Sequence, residues 1–205
     1  MYKKFLAMLV LSILLASSIN ARSLVNISLG VGGAYTPSGE SDFAGGMENP
    51  NNWMFGAEMS VRLAVVQAQM MAFPIQCSDN GQGVLLLGLG SLNIPLVGPL
   101  LFLELGAGGS VTYVPSSENN QVSYYLVSKQ EHHSASQMTF TEAALESPMY
   151  LQIGLGSELG SVGIRARYLL ESGATLGSIL ETNDWWEMFQ LQKGTLSLAL
   201  SLKMF

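Results

Sequence analysis

Cysteine is nearly absent: Cys77 stands alone in 205 residues, which excludes an internal disulfide framework and any multi-cysteine metal site. Charge is scarce as well. Only 12% of residues are charged, about half the ~25% of an ordinary soluble domain. Positive charge is the scarcer sign, with nine Lys and Arg against fifteen Asp and Glu and a net charge of −6. That balance argues against a nucleic-acid partner, which needs a basic face. Beyond the N-terminus no apolar run reaches the ~20 residues of a membrane-spanning helix. Yet 48% of the chain is hydrophobic, too much for disorder. Glycine is plentiful at 22 residues, above the usual ~7%. The length fits one domain.

The N-terminus reads as an export signal. Lys3 and Lys4 precede an apolar run from Phe5 to Ile19, and small residues follow. The run is too short and wrongly flanked for a membrane span. Cleavage is expected after Ala21, with Ser18 as the alternative. Residues 1–21 are thus a signal peptide and 22–205 the mature domain. Removal takes two of the nine basic residues and no acidic one, leaving −8.

The body alternates with period two, the mark of strands whose faces meet different environments. Eight such segments are expected, at 24–35, 52–63, 66–73, 84–94, 101–114, 149–159, 162–170 and 194–204. Most have the length a tilted strand needs to cross a bilayer. Two are less regular. Residues 66–73 alternate weakly around Gln67 and Gln69, and 84–94 is nearly continuous leucine. Connections alternate too: long at 36–51, 74–83, 115–148 and 172–186, short at 64–65, 95–100 and 160–161. An even strand count with long and short loops on opposite sides is the topology of an up-and-down transmembrane barrel.

The non-apolar face carries mostly Gly, Ser, Ala and Thr, which suit the crowded interior of eight strands and lack the charges of a wet sheet face. Aromatics gather at the loop-side strand ends: Tyr35, Trp53, Tyr113, Tyr150, Trp185 and Trp186. They are expected to form an interfacial girdle. A membrane barrel is therefore preferred to a soluble periplasmic β-protein.

Three segments carry a family resemblance. "LNIPLVGPLLFLELGAGGSVTYV" (92–114), "LQIGLGSELGSVGIRARYLLE" (151–171) and "VRLAVVQAQMMAFPI" (61–75) resemble the hairpins of the small eight-stranded outer-membrane barrels of the OmpW, OmpX and OmpA type, with OmpW-like barrels first. Phe205 matches the terminal aromatic that such barrels present to the barrel-assembly machinery. There is one departure, since Leu198, Leu200, Leu202 and Met204 have the opposite parity. The resemblance implies an all-β, eight-stranded antiparallel barrel in the outer membrane of a diderm bacterium. It also implies outer-membrane lipid as a partner and a narrow channel for small solutes, hydrophobic ones included.

Inward parity collects Glu58, Arg62, Glu104, Glu158, Arg165, Arg167 and Lys203. Buried charge is costly unless paired, so Glu104 and Glu158 are expected to pair with Arg62, Arg165 or Arg167. Such a network can plug the barrel or gate a narrow pore. Twelve acids sit in the outer loops or at their rims: Glu40, Asp42, Glu48, Asp79, Glu118, Glu131, Glu142, Glu146, Glu171, Glu181, Asp184 and Glu187. Thr139 and Glu142 have capping-box spacing for a short helix through Glu146. His132 and His133 are adjacent and share no helical or strand face, so no metal site is expected. No cofactor motif and no catalytic motif is present. Three roles remain open on the sequence: channel, loop-displaying adhesin or antigen, and purely structural barrel.

Overall fold

The computed structural model describes residues 25–36, 46–76, 82–98, 100–114, 121–126, 131–133, 139–182 and 191–204. The expected signal segment, Cys77, Trp185, Trp186 and Phe205 lie outside them. The strands are β1 (Val25–Tyr35), β2 (Trp53–Leu63), β3 (Val66–Gln76), β4 (Gln82–Val97), β5 (Leu101–Val114), β6 (Gln121–Leu126), β7 (Glu131–His133), β8 (Pro148–Leu159), β9 (Val162–Thr175) and β10 (Leu191–Lys203). Among the described residues, α1 (Phe140–Glu146) and α2 (Leu176–Thr182) are short helices at the loop end, and a 3-10 turn (Pro50–Asn52) leads into β2.

Eight strands close into a ring in the order β1-β2-β3-β4-β5-β8-β9-β10. Every pairing is antiparallel, and β1 returns onto β10 through eight paired residues, Ser28↔Lys203 to Tyr35↔Leu196. The eight expected strands are all present. β3 runs on to Gln76, and β4 extends from Gln82 to Val97. Two more strands lie within the 115–148 connection. There β5 continues past the edge where β8 leaves it. Phe102–Gly108 pair with β8, and Thr112–Val114 pair with β6, which in turn pairs with β7. Within the longest loop, β6 and β7 therefore extend the barrel wall.

Turn geometry fixes the inner end. Leu63 pairs with Val66 and Leu159 with Val162, which leaves two-residue turns. Each has a left-handed first residue, Ala64 at φ 55° and Gly160 at φ 65°. Glycine adopts that conformation freely, whereas alanine is strained in it. At the outer end α1 begins with the anticipated capping box. The Thr139 N–H donates to Glu142 Oε2 at 2.8 Å, and the Glu142 N–H donates to Thr139 Oγ1 at 3.3 Å.

Polarity is inverted relative to a soluble protein. Outside, Phe55 is 65% exposed, Val31 64% and Leu202 57%. Inside, Glu104, Arg165, Arg167, Gln67 and Gln152 are buried. The interior has two tiers. The half near the short turns is polar. The half near the long loops holds an apolar cluster of Met71, Phe73, Ile75, Leu85, Leu87, Leu89, Val114 and Leu169. This explains the leucine run of β4: Leu85, Leu87 and Leu89 point inward, while Val84, Leu86 and Leu92 point outward.

Candidate functional site

Four strands supply the central cluster. β2 carries Glu58 and Arg62, two strand repeats apart on the inward face. β5 carries Glu104, β8 carries Glu158, and β9 carries Arg165 and Arg167. Period-two geometry sends all six side chains into the lumen.

Arg167 is the most enclosed of the bases. Its Nη1 and Nη2 donate to Glu58 Oε2 and Oε1 at 2.7 and 2.8 Å, a two-pronged contact, and its Nε donates to Glu104 Oε2 at 2.9 Å. Arg165 donates from Nη1 to Glu58 Oε1 at 2.9 Å and stands 3.5 Å from Glu104 and 3.9 Å from Glu158. Arg62 grips Glu158 at 2.7 and 2.8 Å near the inner mouth, where its guanidinium also lies 5.6 Å from the Phe102 ring centre. Three arginines thus face three glutamates, and the cluster is formally neutral. Planar guanidinium forks suit this task because one arginine can satisfy two carboxylates at once.

Glu104 sits at the centre. Besides the two arginines it accepts from Gln67 Nε2 at 3.1 Å and Gln152 Nε2 at 3.3 Å, while Asn93 Nδ2 donates to Gln67 Oε1. Sequence reasoning missed this amide shell. The signal was the weak alternation around Gln67 and Gln69. Among the described residues, the buried Gln69 Nε2 and Ser91 Oγ find no protein partner and are sites suited to ordered water.

Lys203 stands apart. It is half-buried at the inner end of β10, and no ion-pair partner for it occurs among the described residues. The aromatics divide. Tyr113 and Trp53 lie on the outer face, with Trp53 stacked on Phe55 at 5.9 Å and donating from Nε1 to Met47 O. Tyr35 packs at 5.3 Å on Trp53 and is fully buried. Tyr150 is inside the barrel, where its hydroxyl donates to Glu171 at 3.3 Å, so it faces the lumen and not lipid. Glu171 is correspondingly enclosed and is not a loop-surface acid. Both follow from parity: in β8 and β9 they continue the inward series of Gln152 and Leu169. Among the described residues no group of His, Cys, Asp and Glu is gathered for a metal ion.

A closed barrel that displays leucine and valine outside and encloses ion pairs is a membrane-spanning β-barrel, because ring closure satisfies every ladder hydrogen bond within lipid. No protein-family model and no curated protein matches the chain. Among solved structures it is similar to the N-terminal β-barrel domain of Pseudomonas aeruginosa OprF, at 11% identity over 89% of this chain and 98% of that one, with a TM-score of 0.45. Neisserial surface protein A follows at 10% identity, 89% and 98% coverage and 0.43. Ail, the attachment invasion locus protein of Yersinia pestis, solved with the heparin analogue sucrose octasulfate, gives 12%, 88% and 97%, and 0.38. The eight-stranded ring itself is read from this chain's own strand pairings.

Proposed function

We propose that the protein is exported with loss of residues 1–21, assembles in the outer membrane of a diderm bacterium, and works as a closed support for the loops it displays. One observation carries this reading, the filled interior. The neutral Arg–Glu cluster closes the inner half, and above it Met71, Phe73, Leu85 and Leu87 are all nearly inaccessible. Small barrels are normally filled by side chains, and an apolar constriction blocks ions by excluding water. What remains outside the membrane is a large loop surface built on an extended wall strand, suited to binding other molecules at the cell surface.

Planar-bilayer recording of the refolded full-length mature chain tests the proposal. The expected result is no sustained conductance at neutral pH. A stable open current would overturn it and restore the narrow-channel role that the resemblance to OmpW-like barrels implies.

A further inference from the structure

The excursion between β5 and β8 does not only project from the rim. Its last element, α1, and the helix after β9, α2, lie against the outer wall of the barrel. Gly109 faces outward on β5, and a Cβ there would meet Leu176 Cδ1 at 3.2 Å and the Ala144 carbonyl oxygen at 3.9 Å. Met149, Ala174 and Ile179 form a buried apolar cluster with Leu176 and the outward-facing Ala107. On β5 this covered stretch lies between Leu105 and Tyr113, both outward-facing and both 38% exposed. The helices therefore occupy part of the band that the rest of the barrel turns to lipid.

The seven residues of α1 are sorted by side. Ala143 is fully buried and the Ala144 carbonyl oxygen approaches Gly109, while Leu145, against Gly177 of α2, and Phe140 remain 37% and 61% exposed. Glu142 and Glu146, four residues apart, share the opposite side and are exposed. An apolar side, broken by the exposed Thr141, with a charged back is the arrangement of a helix lying in a bilayer interface.

We propose that α1, seated on α2, is an interfacial anchor on the loop side of the membrane, with Phe140 and Leu145 in lipid and Glu142 and Glu146 turned to the headgroups and water. The occupant of this apolar surface is lipid because the surface is continuous with the lipid-facing wall on the same strand. The anchor holds the base of the β6–β7 hairpin against the bilayer. The proposal rests on the barrel lying in a membrane, so a wall position serves as a separate control.

The full mature chain, with Cys77→Ser, carries one nitroxide-labelled cysteine at a time: Phe140→Cys, Leu145→Cys, Glu142→Cys or Leu155→Cys. Each is refolded into phosphatidylcholine vesicles, and collision rates with oxygen and a water-soluble nickel chelate are compared. Labels at 140 and 145 are expected to favour oxygen, as the wall label at 155 does, and the label at 142 to favour nickel. If 140 and 145 favour nickel while 155 favours oxygen, α1 stands in water and the anchor is refuted. Protection of 140 and 145 from both reagents also refutes it, in favour of a covering protein segment. Nickel access at 155 overturns the membrane reading itself and the anchor with it.

Discussion

Removing the Arg167 guanidinium is the sharpest probe of the lumen. It contacts Glu58 at 2.7 and 2.8 Å and Glu104 at 2.9 Å, with no exposed side-chain surface. In Arg167→Met the cluster keeps three carboxylates but only two guanidiniums. Arg165 still reaches Glu58 at 2.9 Å, but it stands 3.5 Å from Glu104 and 3.9 Å from Glu158. One such attraction at about 4 Å is worth about 4 kcal/mol in an effective dielectric of about 20. Loss of one buried partner generally costs about 3–5 kcal/mol, and Arg167→Met should fall there. Adding Glu58→Gln restores neutrality, so the double variant should recover about half the loss. The outer pair calibrates the scale. Arg62 and Glu158 are 18% and 11% exposed, so water compensates there and Arg62→Met should cost about 1–2 kcal/mol. Urea titration in lipid vesicles, followed by heat-modifiable gel mobility, measures these chains together with the wild type and the Glu58→Gln single variant that closes the cycle. If Arg167→Met costs less than about 1 kcal/mol and the cycle shows no coupling, the carboxylates are independently hydrated and the closed-interior reasoning fails.

Leu200→Arg, on the exposed outer face, should destabilise the vesicle-inserted barrel by about 2–4 kcal/mol, several times more than Leu200→Thr. Equal losses for the two would show that this face does not meet lipid. Leu87→Ala, in the apolar tier, should cost about 2–5 kcal/mol without changing the Arg–Glu coupling energy. A loss below about 1 kcal/mol would mean that the tier is not packed. At the loop end, the Thr139 backbone N–H, and then its hydroxyl, hold the Glu142 carboxyl below its ordinary 4.5. The cap is therefore intact above the ordinary value and is lost as pH falls through the lowered one. An NMR titration should find the Glu142 midpoint depressed, and only partly relieved in Thr139→Ala, which removes the hydroxyl but keeps the backbone N–H that donates to Glu142. An unshifted wild-type midpoint would contradict the capping geometry.

Strand existence was legible because each wall strand has two different faces, and period-two patterning records that difference directly. The inward parity of the three glutamates and three arginines was legible for the same reason. Their partners were not, since parity gives a face and not a height. Only the register, Glu58 beside Gly30 and Met71, and Arg165 beside Ala199 and Gly156, brings β2 and β9 level across the lumen. Tyr150 misled because an aromatic at a strand end reads as a girdle residue until parity is given more weight than position. The apolar tier was hidden because Leu85, Leu87 and Leu89 face inward between outward apolar neighbours, which erases alternation. α2 was hidden too, because its short sequence carries no acidic first turn or basic last turn to announce it.

The arginines of β9 reach past their sheet neighbours to strands on other sides of the ring. Arg167 and Arg165 both hold Glu58 on β2, 109 and 107 residues away in sequence, and both touch Glu104 on β5. These contacts are chords, whereas the backbone ladder is only the rim of a wheel. Spokes of this kind resist flattening of the circular section, a deformation that ladder hydrogen bonds alone tolerate. They also set an order of events. Glu58 lies on β2 and its arginines on β9, so these ion pairs form only when strands far apart in the chain have come together. A partly built sheet carries unbalanced carboxylates, and only the finished ring is neutral inside. Charge balance therefore arrives together with completion of the wall, which favours passage of the whole cylinder into lipid over insertion one hairpin at a time.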